Sequence, residues 1–186
     1  RVTAKSSLRF NVFSGREVTY QAWYGVPEAK LTGDTAGLFT HYYNNLGVIY
    51  KSTTDSVNLF SSGRQYNYYT YPNQVDNYRQ NHLQLIHSLA INNRLRTKVT
   101  AFYTMGKGYF EEYRYGDNPA SYLIPDYLDA SGTPVTSTNL VRQRWLDNDL
   151  LGASADFSLV SKNGKLKTEG GVTAMNYLGD HYGNLI

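Results

Sequence analysis

No cysteine occurs among the 186 residues. Disulfide scaffolds, thiolate metal sites and cysteine nucleophiles are thereby excluded. Charge is also scarce: charged residues make up 18%, below the roughly 25% of an ordinary soluble domain. The balance of 18 Lys+Arg against 15 Asp+Glu leaves a net charge of +3. A nucleic-acid binder relies on clustered cations, so no nucleic-acid partner is expected. No stretch nears the roughly 18 consecutive apolar residues of a transmembrane helix. Mean hydropathy is −0.50, a value that does not exclude a transmembrane β-barrel, whose strands alternate polar and apolar residues and average out. Aromatic residues, by contrast, are abundant at 15%, with 18 tyrosines.

Helical periodicity is hard to find. The best case, 83–95, is interrupted by Asn92-Asn93 and followed by β-branched and aromatic residues. Period-2 alternation is far commoner. Leu83, Leu85, Leu89 and Ile91 share one face with His87, opposite His82, Gln84, Ile86, Ser88 and Ala90. Val99, Ala101, Tyr103 and Met105 oppose Lys98, Thr100, Phe102 and Thr104. Leu151, Ala153, Ala155, Phe157 and Leu159 oppose Gly152, Ser154, Asp156 and Ser158. Leu8, Phe10 and Val12 against Arg9 and Asn11 give a fourth strand, and 166–178 a weaker fifth, thinned by Gly170-Gly171. The expected class is all-β, an antiparallel meander of about five strands near 4–14, 77–91, 96–112, 142–160 and 166–180.

The connections alternate in length. Tight turns fall at 91–95 and 161–165, the second carrying Asn163-Gly164, a strong hairpin signal. Long polar stretches occupy 14–76 and 114–140, rich in Tyr, Asn, Gly, Ser and Thr. Short turns should therefore share one end of the sheet and long loops the other. Outer-membrane barrels have this asymmetry, whereas a soluble sandwich distributes its loops more evenly. Aromatic residues near strand ends, such as Tyr103, Tyr109, Phe110, Tyr177 and Tyr182, suit the two interfacial girdles of a barrel. Strands favour aromatics in any setting, however.

Few residues suggest reactive chemistry. His41, His82, His87 and His181 form no metal-ligand pattern, and His82 and His87 point to opposite strand faces. Asp147 and Asp149 share a strand face, a spacing compatible with a carboxylate pair. Gly106-Lys107-Gly108 lacks a third glycine and a following helix, and Ser61-Ser62-Gly63 is no nucleophile elbow. Arg94, Arg96 and Lys98 at one tight turn, with Lys162, Lys165 and Lys167 at the other, suit turns solvated beside lipid head groups. Tyr66, Tyr68, Tyr69 and Tyr71 make the candidate ligand surface, joined by Trp23 and Tyr24 from the same long connection. Each pairs a flat apolar ring with a polar edge, suited to sugars, catechol-like chelates or peptides. Packing of loop against loop would use the same residues.

Several phrases are recognisable together. SGREVTYQAWYGVPE at 14–28, QVDNYRQNHLQL at 74–85, GKGYFEEY at 106–113, RQRWLDND at 142–149 and GDHYG at 179–183 occur in this order. The chain thereby resembles TonB-dependent outer-membrane receptors of Bacteroidetes-type bacteria over nearly its whole length. The resemblance implies a segment of a transmembrane barrel that is 22-stranded in the intact parent. The plug domain and TonB-contacting motif lie outside this chain, and the parent is expected to be longer. It further implies a place in the bacterial outer membrane, lipid around the barrel, and the TonB complex as partner through the plug. The cargo would be a small molecule such as a ferric chelate. It makes 145–149 the loop-side start of a strand, so no catalytic residue, metal or cofactor is expected. The rival reading is a soluble, all-β extracellular binding module of carbohydrate type, with Trp23 and the 66–71 tract as its platform.

Overall fold

The computed structural model describes residues 4–125 and 127–186. Its elements, in chain order, are β1 (Ser6–Tyr20), α1 (Glu28–Thr32), α2 (Thr35–Asn45), α3 (Thr53–Ser61), β2 (Val75–Ala90), β3 (Leu95–Asp117), a 3₁₀ turn (Pro119–Tyr122), β4 (Thr138–Val160) and β5 (Lys167–Leu185). The five strands form one antiparallel sheet in the order β1-β2-β3-β4-β5. This is the expected meander. Short connections follow β2 and β4, and long ones follow β1 and β3. β1, β3 and β5 run past the positions where sequence alternation fades, to Tyr20, Asp117 and Leu185. Pairing with neighbouring strands carries them on after the apolar signal ends.

By contacts the chain divides into two compact units. The described residues of the first unit, up to Val18 and then Asn77–Tyr109 and Arg144–Gly183, hold strand segments and the two tight turns. In the β2–β3 turn, Asn92 Oδ1 accepts the Arg94 and Leu95 amides, each at 2.9 Å. In the β4–β5 turn, Gly164 takes φ 71°, a left-handed conformation that costs glycine nothing. Cross-strand bonds set the register. Asn11 donates to Gln84 at 3.3 Å, Ser14 to Asn81 at 2.7 Å, and Lys98 meets Asp156 at 3.2 Å.

The polarity along β4 is the reverse of a soluble sheet's. Along β4 the exposed positions are Leu151, Ala153, Ala155, Phe157 and Leu159, while Gly152, Ser154, Asp156 and Ser158 are half-buried. Leu8, Phe10, Val12, Leu85 and Val99 on the neighbouring strands are likewise largely exposed. From Leu151 to Leu159 this apolar band is about 27 Å long at the usual rise per residue. The Phe157 ring lies over Gly170, where an added Cβ would come within 2.8 Å of it. The glycine on β5 thus seats an aromatic ring from β4. Three aromatics form a row across β3, β4 and β5. Tyr109 and Trp145 have ring centroids 4.7 Å apart, and Trp145 stacks on Tyr182 at 5.9 Å with 4° between planes.

The second unit comprises Thr19–Asp76, Phe110–Gln143 and Asn184–Ile186. Its three helices lie in a stretch where sequence periodicity shows only a long polar connection. Side-chain caps mark the starts of α2 and α3, whereas α1 has none. Asp34 accepts the Gly37 amide at 2.9 Å at the start of α2. Ser52 and Asp55 form a reciprocal capping box at the start of α3. The unit's buried hydrophobic cluster is small: Tyr50, Leu59 and Tyr66, with Val26, Leu38, Tyr42, Ile49 and Tyr68 packed against it.

Candidate functional site

The tyrosine tract that leads into β2 is fixed by hydrogen bonds at both ends. Asn67 donates to the Gln21 carbonyl at 2.8 Å, and its own Oδ1 accepts the Tyr69 amide. At the other end, Tyr71 and Asn73 both donate to Glu111 Oε1, at 2.8 and 2.6 Å. Gln143 donates to Glu111 Oε2 at 2.6 Å. Burial opposes the charge of this carboxylate, but the three donors outweigh it and hold the carboxyl below its usual range.

Beside the tract, within the same unit, lies a cleft of about 430 Å³. Tyr24, Tyr68, Tyr69 and Tyr71 line it, together with Tyr113 and Tyr115 of β3. Of the six candidate residues read from the sequence, these four come together there. Tyr24 packs edge-on against Tyr68, with centroids 4.8 Å apart, and Tyr68 against Tyr69 at 5.1 Å. Trp23 does not line the cleft. It packs edge-on against Tyr69 at 6.3 Å and Phe110 at 5.3 Å, while remaining 62% exposed. Tyr66 is buried in the helical cluster beside Tyr50 and Leu59.

Two phenols in the cleft, Tyr68 and Tyr69, are held neutral. Burial, with Asp55 and Tyr24 adding to it, pushes the Tyr68 hydroxyl up. Burial and the neighbouring Tyr24, Tyr68 and Glu112 push Tyr69 up to about 12. Near neutral pH both are therefore hydrogen-bond donors.

Five charged residues also line the cleft, none of them singled out by sequence. Arg114 forks onto Asp117 at 2.8 and 3.3 Å. Glu112 accepts from Arg142 Nε at 2.7 Å and lies 3.8 Å from Arg114. Burial weighs against the charge of Asp117, but Arg114 and the Tyr122 hydroxyl keep its carboxyl below the usual range. Asp55 Oδ2 accepts the Lys51 and Ser52 amides, each at 2.9 Å. The only sequence signal for this group is the Ser52-x-x-Asp55 capping spacing. The pairing of Glu112 with Arg142 becomes visible only when β3 and β4 are set in register.

The remaining candidates are engaged singly. Asp147 pairs with Lys107, and Asp149 accepts the Tyr103 hydroxyl at 2.7 Å. The two carboxylates are thus each engaged by a separate partner on β3. His82 bonds Thr104, His87 bonds Ser6 at 2.8 Å, and His41 bonds the Tyr50 hydroxyl at 2.8 Å. Among the described residues no three His, Asp or Glu side chains are placed to hold a metal ion. Compared with known proteins, the chain matches no family, no curated protein and no solved structure.

Proposed function

We propose that these residues are five consecutive strands of the barrel of a TonB-dependent outer-membrane receptor. The intact receptor takes up a scarce nutrient at the bacterial surface. An iron chelate is the cargo the sequence resemblance implies. In this reading the TonB complex acts through a plug outside this chain, transport belongs to the whole receptor, and no catalytic role is assigned.

The observation that carries the proposal is the alternation along β4. A soluble sheet places its apolar residues against a core and its polar ones toward water. β4 exposes Leu151, Phe157 and Leu159 and half-buries Ser154, Asp156 and Ser158, the order a lipid-facing strand requires. The nine residues from Leu151 to Leu159 suit the roughly 9–11 residues of a transmembrane strand. The Tyr109–Trp145–Tyr182 row has the composition of an interfacial girdle. Among the described residues β1 and β5 are the sheet edges, and an arc cut from a closed barrel would have two such edges.

Detergent phase partitioning of the 186-residue chain, with far-UV circular dichroism on each fraction, tests this reading. Recovery of β structure in the detergent phase is expected. A cooperative β monomer in the aqueous phase would overturn the proposal in favour of a soluble carbohydrate-type module.

A further inference from the structure

We propose that Arg16 and Arg79 form a site for the phosphate of an anionic membrane lipid, on the face of the sheet that carries the apolar band and just beyond the band's loop-side end. This rests on the receptor reading above and adds a lipid site on the barrel wall, separate from the tyrosine-lined cleft.

The register of the sheet creates the pair. Ser14 bonds Asn81 across β1 and β2, which sets Arg16 directly opposite Arg79, two residues further on. The bond between His82 and Thr104 likewise sets Arg79 opposite Lys107 on β3. Lys107 pairs with Asp147 of β4, and the stack of Trp145 on Tyr182 brings Asp180 of β5 opposite Asp147. One row thus crosses all five strands, cationic on β1 to β3 and acidic on β4 and β5. Side chains an even number of residues apart share a strand face. Arg16 and Arg79 therefore lie on the face of Val12 and Leu83, each four residues nearer the long loops.

Like charges directly opposite one another destabilise a sheet, and nothing in the row relieves the two arginines. Asp147 is committed to Lys107. Among the described residues no carboxylate pairs with Arg16 or Arg79. Arg16 donates to Asn77 Oδ1 at 3.2 Å, and Asn77 donates to the Tyr109 hydroxyl at 3.3 Å, which ties the pair to the aromatic row. Both arginines are exposed. Two guanidiniums whose Cβ atoms stand about 5 Å apart can fork onto one phosphate, and an anion held between them turns their repulsion into attraction.

Position selects the source of that phosphate. Four residues span about 13 Å along a strand, or about 10 Å in height at a tilt of about 40°. Long arginine side chains at that level reach the head-group layer that borders the hydrocarbon. A lipid phosphate is fixed there, whereas a free phosphate would have to be drawn from bulk water.

The test is native mass spectrometry of the 186-residue chain, released from non-ionic micelles that hold equal amounts of phosphatidic acid and phosphatidylcholine, with inorganic phosphate added in a parallel sample. Phosphatidic acid should be retained in preference, less so as salt rises from about 0.05 to 0.5 M. Arg16→Gln and Arg79→Gln should each lower that preference about fivefold. Arg9→Gln, on the opposite face of β1, should leave it unchanged. In micelles without added lipid, Arg79→Gln should unfold at no lower urea concentration than the native chain, because it relieves the repulsion. Three results overturn the inference: equal retention of the two lipids, a preference that survives both substitutions, or inorganic phosphate held in place of the lipid. Each of these, in a chain whose circular dichroism in micelles is β, leaves the receptor reading standing. A chain whose β structure needs no detergent, or never forms in it, overturns both.

Discussion

Glu111 accepts the Tyr71 hydroxyl at 2.8 Å, so a buried carboxylate on β3 anchors the end of the tyrosine tract. The bond has two companions, from Asn73 and Gln143, and together they let the carboxylate stay ionised. Glu111→Ala leaves these donors unpaired and should cost about 3 kcal/mol in urea unfolding at neutral pH. The native carboxyl titrates below its unfolded value. Its contribution is therefore complete above the unfolded range near 4.3 and fades as pH falls through the lower native value. The stability gap between the native chain and Glu111→Gln should narrow in acid, and a gap that widens would refute the account.

The exposed face of β4 supplies a second prediction. On the receptor reading, Phe157→Arg should cost about 2–4 kcal/mol when the chain is folded in lipid vesicles, if the site lies near the bilayer midplane. The neighbouring Ser158→Arg, on the opposite face, should change stability by less than about 1 kcal/mol. Equal costs at the two positions would sink the assignment of faces.

Trp145 reports on the aromatic row. In Trp23→Phe it is the sole tryptophan, because the sequence has two. Lipids brominated near the head group should quench its fluorescence more strongly than lipids brominated at the chain ends. Deeper bromines quenching best would remove the row from the interface.

Tyr69, in the cleft, should titrate late. Burial pushes Tyr69 up to about 12, beyond the ordinary tyrosine near 10. Absorbance titration near pH 12 should lose one high-pH step in Tyr69→Phe. A Tyr69 that ionises with the bulk would mean that its ring is solvated.

Helix α3 depends on its cap. Ser52→Ala removes the side-chain acceptor for the Asp55 amide and should cost about 1 kcal/mol. The loss should appear as faster amide exchange across Thr53–Ser61, with the strands unaffected.

The class and order of the strands were legible in the sequence because side chains alternate with period 2. Leu83/Leu85 and Leu151/Phe157 mark their faces whichever medium covers them. Turn chemistry at Asn163-Gly164 is equally local. The three short helices were not legible: α2 and α3 have weak apolar periodicity and are marked by caps at Asp34 and Ser52, which alternation does not detect, and α1 is five residues long with no side-chain cap. Four of the six aromatic candidates meet at the cleft, but sequence could not separate Tyr66 from Tyr68. Two residues apart on a loop, one turns into the helical cluster and the other reaches the cleft.

The sequence by itself thus determined an amphipathic, five-stranded meander with long connections on one end, since propensity, alternation and turn residues are local properties. Only the tertiary structure decided which face is exposed, because that depends on whether a second layer covers the sheet. It also decided the charge balance of the cleft. Glu112 and Arg142 are 30 residues apart, and only the β3–β4 register brings them together.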